Sequence, residues 1–312
     1  MKRFIALALA IMTAATCFCL AGCGGNKIVL ATGGNTGTYY SYGLAIGQVL
    51  GEKIGTTFDV QSTGASKANI QLIDSGEADI AVVQNDVMYY ANTGTDLFAA
   101  DGKIESFSAM ATLYPELVQI IASEKSGIKT VADLKGKRVS VGDAGSGVEF
   151  NAKQILAAYD IDMNADIEKQ NLSFGASADA LKDDKIDAFF CVAGIPTTAV
   201  TDLALGNDIV AVSIDDEHFD ALSAEYGFYT KQNIPAGTYN GVDADVQTVA
   251  VMATFIVSND MTEDEVYNIT KALFESKEEI TTAHVKGAEL NAETAVDGIS
   301  IPMHPGAKKY FK

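Results

Sequence analysis

The stretch ATGGNTGTYYSYG, Ala31 to Gly43, stands between the apolar run Ile28-Val29-Leu30 and a segment where Leu44, Ile46, Val49, Leu50 and Ile54 recur at helical spacing. The first is of strand length and the second reads as an amphipathic helix. Gly33, Gly34 and Gly37 permit unusual backbone angles and leave no side chain in a ligand's way. Thr36 and Thr38 are suited to cap the helix, whose first free N–H groups then point into the space above the strand. Strand, Gly/Thr loop and helix start together make a receptor for an anion. Taken singly, the stretch also fits an ordinary glycine-rich turn.

The same design recurs along the chain. Thr57 to Gln61 alternates like a strand and runs into the polar loop Ser62-Thr63-Gly64, followed by a helix over Lys67 to Asp74. Ile80 to Val83 is a buried strand leading to Gln84-Asn85-Asp86, with Tyr89 and Tyr90 on the helix behind. Ala109 to Ser123 is almost continuously apolar, broken by Tyr114-Pro115-Glu116, and Lys125-Ser126-Gly127 opens a second unit. That unit reads as a short helix over Ile128 to Arg138, a strand over Val139 to Val141, the loop Gly142 to Gly147, and a helix carrying Val148, Ala152, Ile155, Leu156 and Tyr159. A helix over Ala178 to Asp184, a strand over Ile186 to Val192 and the loop Ala193 to Thr197 follow. Thr248 to Val257 is a second long apolar strand, able to run antiparallel to the one near Leu117. Thr262 and Glu265 form a capping box for a helix from Glu263 to Phe274. Lys277 to Lys286 continues helically, and Ile301 to Gly306 reads as a rigid turn before a basic tail.

Strands alternating with helices imply an α/β fold with a mostly parallel sheet, whose ligands sit at the carboxyl ends of the strands. Two units of like plan make two α/β lobes around a central cleft. The two long apolar strands then join residues 26–119 plus 248–312, the first lobe, to residues 120–247, the second.

Composition narrows the function. With 22 Lys+Arg against 41 Asp+Glu and a formal net charge of -19, the chain is not built for nucleic acid. Its field repels anions at long range, so a bound anion has to be held by local geometry. Lys2 and Arg3 precede an apolar run from Phe4 to Leu20, and Leu20-Ala21-Gly22-Cys23 closes it with small residues. This resembles a bacterial lipobox: residues 1–22 are a signal peptide, and Cys23 is the lipidation site of an exported, membrane-anchored protein. Cys17 and Cys19 leave with the signal, so Cys191 has no disulfide framework to join.

Several chemistries fail on spacing. Gly142 to Gly147 has the glycines of a phosphate loop, but Val148 stands where the lysine is needed. Ser146 lacks the outer glycine pair of a nucleophile elbow. Asp160, Asp162, Asn164 and Asp166 imitate a calcium loop, but Ala165 and Asn171 occupy the positions of the required glycine and glutamate. His218, His284 and His304 have no metal-ligand spacing, and Cys191 lies in an apolar strand as a structural thiol. Tyr39, Tyr40, Tyr42, Tyr89, Tyr90 and Tyr114 are equally suited to stacking on a ligand or lining a core. No catalytic constellation, cofactor motif or metal site emerges, and the chain reads as a non-enzyme.

The blocks ATGGNTGTYYSYG, STG, SGEADIAVVQND, LYPE, DLKGKRVSVG.AGSG.E.NA, VAGIP, IPAGTY, TVAVMAT, ITKALFE and IPMHPGA in this order resemble the TAXI family. These are the solute-binding receptors of tripartite ATP-independent periplasmic (TRAP) transporters. The resemblance implies a type II periplasmic-binding-protein fold that captures a small carboxylate by hinge closure and delivers it to a membrane permease, often a fused one. Glutamate, glutamine-like compounds and 2-oxo acids are the implied ligands. The implied ligand-binding residues are Gly34, Thr36, Thr38, Tyr39, Ser62, Thr63 and Gln84, with Tyr114 and Glu116 from LYPE. Ser146, Gly147, Glu149 and Asn151 come from AGSG.E.NA, and Ala193 and Gly194 from VAGIP. Two departures stand out: TGGNTGT replaces the frequent TGGTGGT, and the lipobox is absent from freely periplasmic members. An enzyme on the same fold, or a tethered sensor feeding no transporter, are the other classes this sequence admits. No Lys or Arg lies in Thr32–Tyr40, Ser62–Gly64, Gln84–Asp86, Gly145–Gly147 or Ala193–Thr197, so an anion here must meet helix N–H groups and hydroxyls, Ser146 first among them.

Overall fold

The structure, a computed structural model, describes residues 27–312. The signal peptide and Cys23 lie outside the described residues. Strands β1 (Lys27–Ala31), β2 (Thr57–Gln61) and β3 (Ile80–Gln84) are parallel, as their alternation with helices requires. They form one end of a ten-stranded sheet ordered β2-β1-β3-β10-β4-β7-β5-β6. The middle is a pair of long strands, β4 (Phe107–Ser123) and β10 (Val246–Ser258), running antiparallel from Phe107/Ser258 to Leu117/Ala250. Every β4 residue but Pro115 is buried. Such a strand has to be covered on both faces along its whole length, so it passes from the core of one lobe into that of the other.

Beyond Leu117, β4 pairs with β7 (Ala188–Ala193), which is followed by β5 (Arg138–Ser140) and β6 (Glu168–Gln170). The short strands β8 (Ile209–Val212) and β9 (Thr230–Ile234) add to β4 and β10. Two register shifts interrupt the β4–β10 pairing, one between Ala109 and Ala111 and one between Thr112 and Tyr114, next to Pro115. There the Met252 N–H, opposite Pro115, donates instead to Asn85 Oδ1 at 3.0 Å. Proline has no N–H to continue a ladder, and the irregularity falls where the two lobes meet. The sheet halves have separate cores, one around Tyr42, Ile46, Val82 and Phe255, the other around Val118, Ile155, Phe190 and Val251.

The local readings hold with specific corrections. Helix α1 (Thr38–Ile54) buries Tyr39, Tyr42, Ile46 and Leu50, whereas Leu44 is 46% exposed and lies off the apolar stripe. Thr36 and Thr38 do not cap it; the N-cap is Gly37, without a side-chain bond. The helix expected over 128–138 is a single 3₁₀ turn, Val131–Leu134. Asp133 turns back to take the N–H groups of Lys129 and Thr130, and Gly136 at φ 74° ends the turn before β5 begins at Arg138. The helix expected from Ala178 starts earlier, as α5 (Phe174–Lys182), because Ser173 caps it through the Ala176 N–H. The helix expected through Lys286 ends at Ala283 and continues as a 3₁₀ turn. At the expected rigid turn, His304 caps a short helix with Pro305 in its first turn. Thr262 and Glu265 form the capping box foreseen. The acidic loop resembling a calcium site is an ordinary turn in which Asp162 Oδ1 accepts from the Asn164 and Ala165 N–H groups.

Candidate functional site

The carboxyl ends of β1, β2, β3, β5, β6 and β7 lead into the middle of the sheet, and helices that follow them start there. Four helix N-termini border the same small cavity: α1 at Gly37–Thr38, α2 (Ser66–Asp74) at Ala65–Ser66, α4 (Gly147–Ala158) at Ser146–Val148, and α5 at Ser173–Phe174. Free N–H groups and dipole ends thus converge from both halves of the sheet. Among the lining residues there is no Lys or Arg; the charged ones are Glu116 and Asp143.

Of the residues foreseen, Gly34, Thr36, Thr38, Tyr39, Thr63, Gln84, Glu116, Ser146, Gly147 and Ala193 line this cavity. Ser62 does not: its hydroxyl donates to Gly33 O at 3.0 Å and pins the first loop. Thr63 also serves that loop, donating to Thr32 O at 2.9 Å, while Asn69 bridges Thr32 O and Val82 O. Glu149 points away. Its carboxylate accepts from the Gly145 N–H at 2.6 Å, Lys169 at 2.9 Å and Asn171 at 3.1 Å. Burial alone raises its pKa, but these three partners outweigh it and keep the group below the ordinary carboxylate range. Asn151 is fully buried and bonded to Asp86 and Tyr229. Tyr114 borders a separate groove, with Pro115 of β4 and Met252 of β10. Gly194 packs against Lys286, Tyr114 and Thr38.

Sequence reading missed Ser66, Asp143, Ser173 and Phe174, which line the cavity. Ser173, three residues after the end of β6 and directly before a helical stretch, carried a cap signal that locates it. It also missed Lys286. This lysine is 3% exposed, pairs with Glu289 at 2.5 Å and lies 5.4 Å from the Tyr114 ring centre.

Ser146 accepts from the Glu149 N–H at 3.1 Å as the cap of α4, which leaves its own proton for a ligand. Glu116 Oε2 accepts from the Tyr39 hydroxyl at 2.6 Å. Burial pushes the Glu116 carboxyl well above its ordinary range, against the opposing pull of Tyr39 and the smaller effect of Lys286. Burial likewise raises Asp143. Gln84 Oε1, also buried, has no donor. The cavity therefore offers donors at its helix ends and acceptors at Glu116 and Gln84.

The two halves of the sheet touch directly around the cavity. Thr38 Oγ1 donates to Gly194 O at 2.9 Å and the Ala199 N–H to Thr36 O at 3.3 Å. The enclosed space is only about 50 Å³, well below the ~300–1,000 Å³ usual for ligand sites. The structure is that of a shut cleft.

Ala65, at the start of α2, has φ 64° and ψ −148°, a region that disfavours any residue with a Cβ. Relief of this strain, about 1–3 kcal/mol, exceeds the ~0.4–1 kcal/mol that glycine loses through a freer unfolded chain. Ala65→Gly should raise the melting temperature by a few degrees in scanning calorimetry. A lowered melting temperature would show the site to be unstrained.

Two sheet halves crossed by paired long strands, with helix starts meeting at the crossing, is the fold of periplasmic solute-binding proteins. The chain belongs to the NMT1-like family, which matches residues 30–312. Among solved structures it resembles the periplasmic aliphatic sulphonate binding protein SsuA from Escherichia coli, at 14% identity and a TM-score of 0.52, over 92% of this chain and 82% of that one. It also resembles a binding-protein component of an ABC phosphonate transporter from Pseudomonas aeruginosa, at 13% identity and a TM-score of 0.54, covering 84% and 79%. A third is the GluR0 ligand-binding core from Nostoc punctiforme in complex with L-glutamate, at 15% identity and a TM-score of 0.51, covering 84% and 100%. These structural relatives are binding proteins, not enzymes. Among the described residues, no helix is long and apolar enough to cross a membrane.

Proposed function

We propose that this protein is the solute receptor of a TRAP transporter of the TAXI type, binding a small amino-carboxylate of the glutamate or glutamine class. The observation that carries the reading is the cavity's division of labour: four helix N-termini without a cationic side chain, opposite a buried carboxyl and a donor-less amide oxygen. A carboxylate fits the helix ends, where hydrogen bonds to a charged acceptor contribute about 1.5–3 kcal/mol each. An ammonium group fits Gln84 Oε1 and the Glu116 carboxyl, which releases its proton to solvent to pair with the cation, and this favours amino acids over 2-oxo acids. The lobes are residues 26–119 with 248–312, and 120–247. β4 and β10 are the hinge, so ligand that touches both lobes only in the shut form drives closure.

Calorimetric titration with L-glutamate, L-glutamine, 2-oxoglutarate and ethanesulfonate tests the ligand class. The amino acids should bind in the micromolar range and 2-oxoglutarate at least tenfold more weakly. Preferred binding of ethanesulfonate would defeat the carboxylate reading. On this reading the receptor hands its ligand to a membrane permease while held through Cys23 at the outer face of the cytoplasmic membrane or in the periplasm. A multiply acylated cysteine anchors firmly where a single chain does not. Cys23→Ser should therefore move the protein from the membrane to the soluble fraction, or leave its leader uncut. A cleaved, membrane-bound Cys23→Ser protein would remove the lipid anchor from the proposal.

A further inference from the structure

Beside the ligand cavity, a second polar cluster joins the two lobes. Asp86, in the first turn of α3 (Asn85–Thr93), is 1% exposed, and its Oδ2 accepts from Asn151 Nδ2 of α4 at 2.9 Å. The same Asn151 nitrogen donates to the Tyr229 hydroxyl at 2.9 Å. Tyr229 in turn donates to Gln154 Oε1 at 2.6 Å, and Gln154 Nε2 reaches back to the hydroxyl of Tyr90 on α3 at 3.2 Å. The chain of bonds therefore starts and ends on α3 of one lobe and passes through three side chains of the other. None of these five residues lines the cavity.

We propose that Asp86, Asn151, Tyr229, Gln154 and Tyr90 form an interlobe latch that shuts with uptake of one proton from solvent onto Asp86. Two features of the geometry support this. First, no cation pairs with Asp86: the titratable groups facing it are Tyr90 on its own helix, Asp96 just beyond that helix, Glu116 on β4, and Tyr229. Asp96 opposes a negative charge at Asp86, and the other groups, which burial holds protonated, offer it no positive partner. Second, this cluster has an acceptor to spare, since the buried oxygen Asn151 Oδ1 lacks a donor. A proton on Asp86 adds a donor to the cluster.

Burial raises Asp86 to about 6 despite the opposing bonds from Asn151 and Val87. When the lobes part, Asn151 and Tyr229 leave with their own lobe, and Asp86 returns to water and to the ordinary range, about 3.9. The shut form is thus the one that binds the proton more tightly. Linkage then requires the shut-to-open ratio to rise as pH falls, by about tenfold between pH 8 and pH 5, and to level off below about pH 4. Glu116, raised for the same reason, adds in the same direction.

The inference rests on hinge closure as proposed above, and not on which solute is bound. The test is single-molecule energy transfer on ligand-free protein, with dyes on Glu52→Cys and Leu205→Cys, both exposed and on opposite lobes. Cys17, Cys19 and Cys23 are replaced by serine, and the native Cys191 is buried. In a Glu116→Gln background, which silences the second titration, the shut population should rise about tenfold relative to the open one from pH 8 to pH 5. Asp86→Asn, of the same shape and permanently neutral, should abolish that dependence. Asn151→Leu, made from the other lobe, removes a bond that favours the charged carboxylate and should steepen the dependence. Exchange between two states with a pH dependence that survives Asp86→Asn, or with none in the parent, overturns the latch and leaves the hinge reading intact. One rigid distance at every pH overturns both.

Discussion

Gly147→Val is expected to hold the cleft open and to weaken ligand binding by roughly five- to a hundredfold. Gly147 opens α4 and sits directly against the side chain of Gln84 at the end of β3, on the opposite half of the sheet. A Cβ there would overlap the Gln84 amide oxygen and stand 2.9 Å from its Cδ and 3.0 Å from Val87 Cγ2. Valine adds two more methyl groups to that contact. Val87 is fully buried and has no open space to move into, while the flexible end of Gln84 can yield only by turning into the ligand cavity that it lines. Overpacking of this kind costs about 1–3 kcal/mol or more, and two lobe positions differ by only a few kcal/mol. Each ~1.4 kcal/mol is tenfold in population. Because the overlap exists only in the shut form, the melting temperature of ligand-free protein should change little. Small-angle scattering should show no compaction at saturating L-glutamate. Wild-type affinity in Gly147→Val would mean that the shut contact is not the one that captures ligand.

Ser146→Asp is expected to lose binding by a similar or larger factor, through charge rather than shape. Aspartate is a good helix cap, so it can keep the bond from the Glu149 N–H and leave α4 in place. It replaces the hydroxyl proton offered to the ligand with a negative charge, in a cavity that already holds Glu116 and Asp143. Two like charges 4 Å apart repel by about 4 kcal/mol at an effective dielectric constant of 20. Losing one charge-assisted hydrogen bond adds about 1.5–3 kcal/mol. Ser146→Ala, which removes only the bond, should weaken L-glutamate binding about tenfold in calorimetry. Equal binding by wild type and Ser146→Asp would place the ligand's carboxylate away from this helix end.

The candidate site was legible as far as local pattern reaches. Gly34, Thr38, Thr63, Ser146 and Gly147 follow a strand end and precede or open a helix, Gln84 and Ala193 end their strands, and that arrangement is written in consecutive residues. Glu149 and Asn151, two and four residues into the next helix, share the same local signature but serve other ends. Glu149 ties down its own loop and Asn151 bridges to Asp86. Nothing local separates them from Ser146, because a side chain on a helix is assigned to cavity or core by what lies across from it. Phe174 and Ser173 were missed for the converse reason: their helix was expected to start at Ala178, and its true first turn is the part that meets the cavity.

The α/β alternation, the two long apolar strands and the lack of cations in the candidate loops follow from residue order alone. Each is a property of short, contiguous segments, governed by hydrophobic period and turn chemistry. Which polar groups are spent and which are left over depends on packing between segments distant in the chain. Lys286 comes to rest beside Tyr114 and Gly194, far from both in the chain, and Asp86 meets Asn151 across 65 positions. Hydrogen-bond partners and buried charges are chosen by proximity in space, and that proximity exists only once β4 and β10 have brought the two lobes together.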